Sequence, residues 1–293
     1  MKIKVGSRES RLAVRQAQIV MEKIRQFHPA AQLEIVTMKT TGDRILHKTL
    51  DKVGGKGLFI KELDLALREC RIDLAVHSLK DMPMEEPRDF PILACTRRED
   101  PRDVLVLRKG LPALPADGVI GCSSLRRKLQ LGALFPSARI ENIRGNVLTR
   151  LEKLDAGEYD ALVLAAAGLL RLGLEERISR YFSVEEILPA AGQGIMAVQG
   201  SRRMKPFTDC ASDPDAVLAA AAERAFVREL DGGCSSPVAA HAERQGQAWL
   251  LRGLYYEEET GTYRIGTRTY EMEGTDPALA ARMGRELADE LRG

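Results

Sequence analysis

Residues Asp73 to Pro83 read DLAVHSLKDMP, a short apolar run that stops abruptly at His77, Ser78, Lys80 and Asp81. A run of this length between polar and chain-breaking residues reads as a buried strand, whose last side chains reach the C-terminal edge of a sheet. That edge is where open α/β sheets bind ligands. A carboxylate beside an ammonium, carried there by a rigid strand, suits a substrate whose charge changes during reaction. The same pair would also suit a solvated loop. Its meaning therefore depends on what the rest of the chain brings to the same edge.

Taken in order, the chain repeats the strand-to-helix pattern. Ile3 to Gly6 is expected to be a strand, and Ser10 the N-cap of a helix to about Phe27 with Val14, Ala17, Met21 and Ile24 on one face. Arg8 then falls in the first strand-to-helix turn. Leu33 to Met38 is a second strand. After a polar loop, the run Lys52-Val53-Gly54-Gly55-Lys56-Gly57-Leu58-Phe59 opens a helix reaching about Glu69. Glycines before a helix expose N–H groups to anions, yet the spacing departs from a nucleotide P-loop, and a glycine-hinged lid fits equally well. Ile92 to Thr96 and Val104 to Leu107 are strands, joined by the charged link Arg97 to Asp103, which resembles a domain crossover.

A second series follows: strand Val119 to Gly121, helix Ser124 to about Leu134, strand Arg139 to Ile143, helix Val147 to about Ala156 and strand Ala161 to Leu164. Two such series argue for two α/β lobes. Leu188 to Gly194 is a second crossover, returning to an apolar run from Ile195. An Ala-rich helix, Asp215 to Leu230, precedes Gly232-Gly233-Cys234, and two strands with a final helix complete a small α+β domain. The expected division is 1–96 with 195–213, then 97–194, then 214–293.

Arg8, Arg126, Arg127, Arg144 and Arg150 recur at or near the strand-to-helix turns. Arginine forks bind carboxylates bidentately, and serine hydroxyls and helix N-termini add donors for the same oxygens. A polyanionic ligand is the inference, although any single arginine also suits a solvated helix face. The overall charge is only +2, with 5% aromatic residues, which argues against a nucleic-acid module. The N-terminal MKIKVGSRES lacks a signal-peptide pattern, and no apolar run approaches a membrane span. Cys70, Cys95, Cys122, Cys210 and Cys234 are widely spread, with no CxxC pair. Reduced cytoplasmic thiols fit this pattern, and no metal site is expected.

Several of these stretches together resemble porphobilinogen deaminase, the hydroxymethylbilane synthase family. They are Arg8-Glu9-Ser10, Val53 to Phe59, Ala75 to Pro83, Arg98 to Asp103, Ser123-Ser124-Leu125-Arg126-Arg127, Arg144-Gly145-Asn146, Gly192-Gln193-Gly194 and Glu223-Arg224 through Cys234. They stand in family order from near the start to about Pro237. The resemblance implies two periplasmic-binding-protein-like lobes around a cleft, with a third domain carrying a cysteine. It implies that four porphobilinogen molecules are joined head to tail, each losing ammonia, before water releases hydroxymethylbilane. A dipyrromethane cofactor would be held by a thioether to Cys234. Asp81 would be the essential carboxylate and Lys80 a cofactor contact.

By the same resemblance Arg8, Ser10, Arg126, Arg127, Arg144, Arg150 and Arg171 contact cofactor or substrate carboxylates, helped by Lys52, Lys56 and Ser124. Gln193 is a hinge or cleft residue. A cytoplasmic monomer passing its product to uroporphyrinogen-III synthase is implied as well. Arg11 stands where many relatives have proline, and Cys122 where threonine is common; the thiol would weaken one carboxylate contact. A two-lobed protein that only binds an organic polyanion would share the lobes and arginines, but gives no reason for Asp81 or Cys234.

Overall fold

The computed structural model describes residues 1–44, 60–85, 88–232, 237–257, 259–271 and 274–293. In chain order, β1 (Lys2–Arg8) leads to α1 (Arg11–Phe27), β2 (Gln32–Met38) and the short α2 (Thr41–Arg44); α3 (Lys61–Arg68), β3 (Leu74–Ser78) and β4 (Ile92–Cys95) follow. The second series contains β5 (Asp103–Leu107), β6 (Val119–Gly121), α4 (Leu125–Leu134), β7 (Arg139–Glu141), α5 (Val147–Asp155), β8 (Ala161–Ala165), α6 (Ala166–Arg171) and β9 (Arg180–Tyr181). The remainder is β10 (Met196–Gly200), α7 (Lys205–Thr208), α8 (Pro214–Glu229), β11 (Ala239–Gln245), β12 (Ala248–Glu257), β13 (Thr262–Glu271) and α9 (Pro277–Arg292).

These elements build three sheets, in the orders β2-β1-β3-β10-β4, β7-β6-β8-β5-β9 and β11-β12-β13. In the first, β1 runs parallel to β2 and β3, while β10 is antiparallel to both β3 and β4. In the second, β6 runs parallel to β7 and β8, and β5 is antiparallel to β8 and β9. The third is an antiparallel meander. The architecture is thus two α/β lobes of mixed sheets with a small α+β domain. No helix among the described residues is long and apolar enough to cross a membrane.

Local sequence accounts for most helix starts. Ser10, Ser124 and Asn146 each accept a hydrogen bond from the main-chain N–H three residues on, capping α1, α4 and α5. Asp213 and Asp276 cap α8 and α9, each followed by proline in the first turn. The helix after Ser10 begins at Arg11, so a charged residue in place of proline leaves the cap intact. Among the described residues, five elements escape a reading by periodicity: α2, α6, α7, β9 and β11. The helices α2 and α7 have four residues each, α6 is a six-residue helix continuing directly from β8, and β9 has only two residues. Too few residues are present in any of these four to establish a period.

The third domain packs α8 and α9 against its sheet around Phe226, Trp249, Leu251 and Leu287. Gly284 of α9 meets α8 at main-chain distance: a Cβ there would lie 2.1 Å from the Ala222 carbonyl oxygen and 2.9 Å from the Phe226 nitrogen. Neither backbone atom can yield without shifting a helix. Gly284→Ala should therefore destabilise the protein by about 3 kcal/mol through overpacking, despite alanine's better helix propensity. Urea unfolding measures this as a lower midpoint with an unchanged slope; an unchanged midpoint would show that the helices separate at little cost.

Candidate functional site

Strand direction assembles the site. Because β10 is antiparallel to β3, its first residue, Met196, lies opposite Ser78 at the end of β3. Likewise β5 is antiparallel to β8, and Asp103 lies opposite Ala165. Each crossover therefore enters its new sheet at the edge where the neighbouring parallel strands end. Gln193 and Asp103 reach that edge for this topological reason.

The last residues of β3 run into one turn of 3-10 helix, Leu79–Asp81. Leu79 is fully buried, while Lys80 and Asp81 line a cleft of about 590 Å³. The volume is within the usual range for an organic ligand. The cleft walls also include Arg8, Ser10, Ser124, Arg126, Arg127, Arg144, Arg150, Arg171 and Gln193. The structure thus brings together every expected site residue that it describes. Lys52, Lys56 and Cys234 lie outside the described residues.

The capping hydroxyls retain a binding capacity. Ser10 Oγ accepts from the Ala13 nitrogen at 3.3 Å, and Ser124 Oγ accepts from the Arg127 nitrogen at 3.5 Å. A hydroxyl that accepts at a cap still has its own proton to donate to a carboxylate. The N-termini of α1, α4 and α5 add their positive dipole ends to the same wall. Asn146, Gln16, Ser78, Lys39 and Leu12 also line the cleft. For Gln16 a signal was present, since it falls on the buried face of α1 between Ala13 and Ala17. Asn146 was visible as a helix cap within the Arg144-Gly145-Asn146 motif.

Four of the cleft arginines divide into two pairs. Arg126 and Arg127 are 4% and 7% exposed and converge on Asp103, which is fully buried. Arg126 Nη1 lies 2.8 Å from Asp103 Oδ2, and Arg127 Nη2 donates to Asp103 Oδ1 at 2.7 Å. Arg126 Nη1 also donates to the Leu188 carbonyl at 2.6 Å, and Arg127 uses its other terminal nitrogen, Nη1, to donate to the Val163 carbonyl at 3.0 Å. Burial pushes the Asp103 carboxyl up, but Arg126 and Arg127 outweigh it and hold the group well below the usual carboxylate range. One internal anion is therefore already shared between these two cations.

Arg150 and Arg171 are held by main-chain oxygens instead. Arg150 Nε donates to Gly145 O at 2.9 Å, and Arg171 Nη2 to Gly194 O at 2.5 Å. Burial lowers both guanidinium pKa values to about 10, with Arg127 adding to the effect at Arg150. Each stays cationic at neutral pH. Gln193 ties the two lobes together: its amide nitrogen donates to Asp103 Oδ1 at 2.8 Å and Pro101 O at 2.7 Å, while its oxygen accepts from Lys80 Nζ at 3.2 Å. Burial, helped by the nearby Arg127, lowers the Lys80 ammonium to about 8 against the pull of Asp81 and Asp103.

Cys122 does not line the cleft. Its buried thiol faces Ser124 O at 3.8 Å and packs with Ile120, Leu131 and Phe182 in the second lobe's core.

Asp103→Asn keeps the shape of the carboxylate but leaves two buried guanidinium groups without their anion. A loss of about 3 kcal/mol or more is expected in urea unfolding. Wild-type stability would mean that the arginines find other compensation.

Two family models cover nearly the whole chain: porphobilinogen deaminase, dipyromethane cofactor binding domain, over residues 3–208, and porphobilinogen deaminase, C-terminal domain, over residues 217–293. Porphobilinogen deaminase of Acetivibrio thermocellus is 56% identical over 267 residues, spanning 90% of this chain and 91% of its own. That of Alkaliphilus oremlandii is 53% identical over 294 residues, spanning 100% and 97%. Among solved structures, the VFT2 domain of Bordetella pertussis BvgS is similar over 72% of this chain and 86% of its own, at 16% identity and a TM-score of 0.43. With both family models matched in order and more than half its residues shared with such a relative, the chain belongs to the porphobilinogen deaminase family.

Proposed function

We propose that the chain is a hydroxymethylbilane synthase, joining four porphobilinogen molecules head to tail with loss of ammonia and releasing the linear tetrapyrrole with water. The observation that carries this reading is Asp81, held on a rigid turn inside a cleft whose other charged walls are almost all cationic. Each porphobilinogen brings an acetate and a propionate, so the growing chain is strongly anionic. Arg8, Arg144, Arg150, Arg171 and Lys80 answer those carboxylates, with hydroxyl protons from Ser10 and Ser124. Arg126 and Arg127 contribute as a pair whose charge exceeds that of Asp103 by one. Lys52 and Lys56 join this set on the strength of family resemblance.

Loss of ammonia from the aminomethyl group of porphobilinogen leaves a cation. A fixed carboxylate in a site of low dielectric stabilises it far more than water does. That is the role assigned to Asp81. The donor set around it fits a dipyrromethane bearing carboxylates, which would supply the pyrrole carbon to which substrate is added. Cys234 is its point of attachment. Supporting this, Val227 and Val238, on either side of Cys234 in the chain, both line the cleft. We assign the lobes to 1–96 with 195–213 and to 97–194, and the third domain to 214–293. A cytoplasmic monomer handing its product to uroporphyrinogen-III synthase completes the reading.

The first test is the intact mass of denatured protein, then peptide mapping. Two linked pyrroles are expected on the peptide containing Cys234; an unmodified chain, even after incubation with porphobilinogen, would reject the synthase. Asp81→Asn keeps the size and removes the charge, so kcat should fall by a factor on the order of a hundred or more. Near-normal turnover would remove Asp81 from its role.

A pH profile tests Lys80 separately. Its cationic fraction falls as pH rises through about 8, so binding of an anionic chain weakens above that value. Arginine stays charged across this range. The alkaline fall in turnover should therefore move to higher pH in Lys80→Arg, even where the maximal rate is lower. An unmoved alkaline limb would assign it to another group.

A further inference from the structure

Arg224 and Arg228 are one helical turn apart on α8 and face the same segment of the first lobe. Arg224 Nη2 donates to Pro83 O at 2.6 Å and to Met84 O at 3.1 Å. Arg228 Nη2 donates to Met84 O at 3.0 Å. These carbonyls belong to the segment leaving the turn that ends in Asp81. Arg224 is 4% exposed, so its charge has been taken out of water to make these bonds. Hydrogen bonds from an ionised donor are roughly twice as strong as neutral ones.

Neither arginine lines the cleft, whereas Met84 does so and also packs against the core of the third domain. The preceding residue on the same helix, Glu223, accepts from the Gly192 nitrogen at 2.6 Å and pairs with Arg98 at 2.6 Å. The stretch of α8 from Glu223 to Arg228 therefore grips the lobe crossover with a carboxylate and the exit of the Asp81 turn with guanidinium groups. The same helix leads into the segment containing Cys234.

We propose that Arg224 and Arg228 are positioning residues for the reaction, holding the Asp81 turn at a set distance from the helix that leads to the cofactor-bearing cysteine. This rests on the reading of Asp81 and Cys234 given above. The end of the covalently held chain must meet Asp81, and a misplacement of about 1 Å can cost on the order of a hundredfold in rate. Since the clamp holds main chain and does not touch the cleft, its loss acts on kcat and spares KM.

The experiment uses purified holoenzyme, with covalent loading read by intact mass and folding by thermal denaturation. Arg228→Met should lower kcat about threefold and Arg224→Met at least about tenfold, with KM and loaded mass unchanged. Arg224→Lys restores a charged donor and should recover much of the loss. A purely structural role would instead lower the folded, loaded fraction and leave kcat per loaded molecule at the wild-type value; that result would overturn the proposal. If Arg224→Met does not fold, the exposed Arg228 decides alone, and a wild-type kcat in Arg228→Met overturns the clamp. Failure of the underlying reading shows elsewhere, as full turnover in Asp81→Asn or as a chain without covalent pyrrole.

Discussion

The site depends on one buried carboxylate. Asp103 starts the strand that carries the chain into the second lobe, and it is fully buried against Arg126, Arg127 and the amide of Gln193. A lone carboxylate there would be costly, as would two guanidinium groups without it. Together they form a cluster of net positive charge that opens onto the cleft. Gln193 extends it to Lys80, and Lys80 neighbours Asp81 in the chain. The carboxylate assigned to the chemistry is thus built into the same hydrogen-bonded unit as the crossovers between the lobes.

Glu223 does for the third domain what Asp103 does for the lobes. Fully buried, it accepts from the main-chain nitrogens of Gly192 and Ala242 and pairs with Arg98. Arg98 also donates to Gln193 O at 2.8 Å. Both crossovers therefore converge on a single helix. Gly194 lies in the second crossover with φ at +89°, and a Cβ there would sit 2.3 Å from the Glu99 carbonyl oxygen. Only glycine combines that backbone conformation with so close an approach of the two crossovers. Rigid anchoring at the crossovers and a cationic cleft between the lobes suit a guest that changes length while keeping the same charged substituents.

Much of the fold was legible because its elements are locally consistent. The strands at Val119 and Ala161 and the helices after Ser10, Ser124 and Asn146 carry their own periodicity and caps. The elements missed were of other kinds. In α6 the helix follows its strand without a breaker, and β11 lies in AAHAERQ, whose small and charged residues show no strand preference. It becomes a strand because β12 supplies its ladder and α8 covers its face.

For the site, sequence alone determined which chemistry the chain carries: an Asp81 at the end of an apolar run, arginines at or near strand-to-helix turns, and motifs of a known family in order. Those are properties of residue type and spacing, set by short-range physics. Only the tertiary structure decided how the charges are shared. Asp103 stood in the sequence only as the last residue of the Arg98-to-Asp103 motif, with no sign of its burial, because a carboxylate at the start of a strand is usually solvated. Its burial follows from the antiparallel insertion of β5 beside β8, which depends on residues more than fifty positions apart. The same long-range pairing decides that Arg126 and Arg127 keep an internal anion, and only the tertiary packing of α8 brings Arg224 to the segment leaving the turn that bears Asp81.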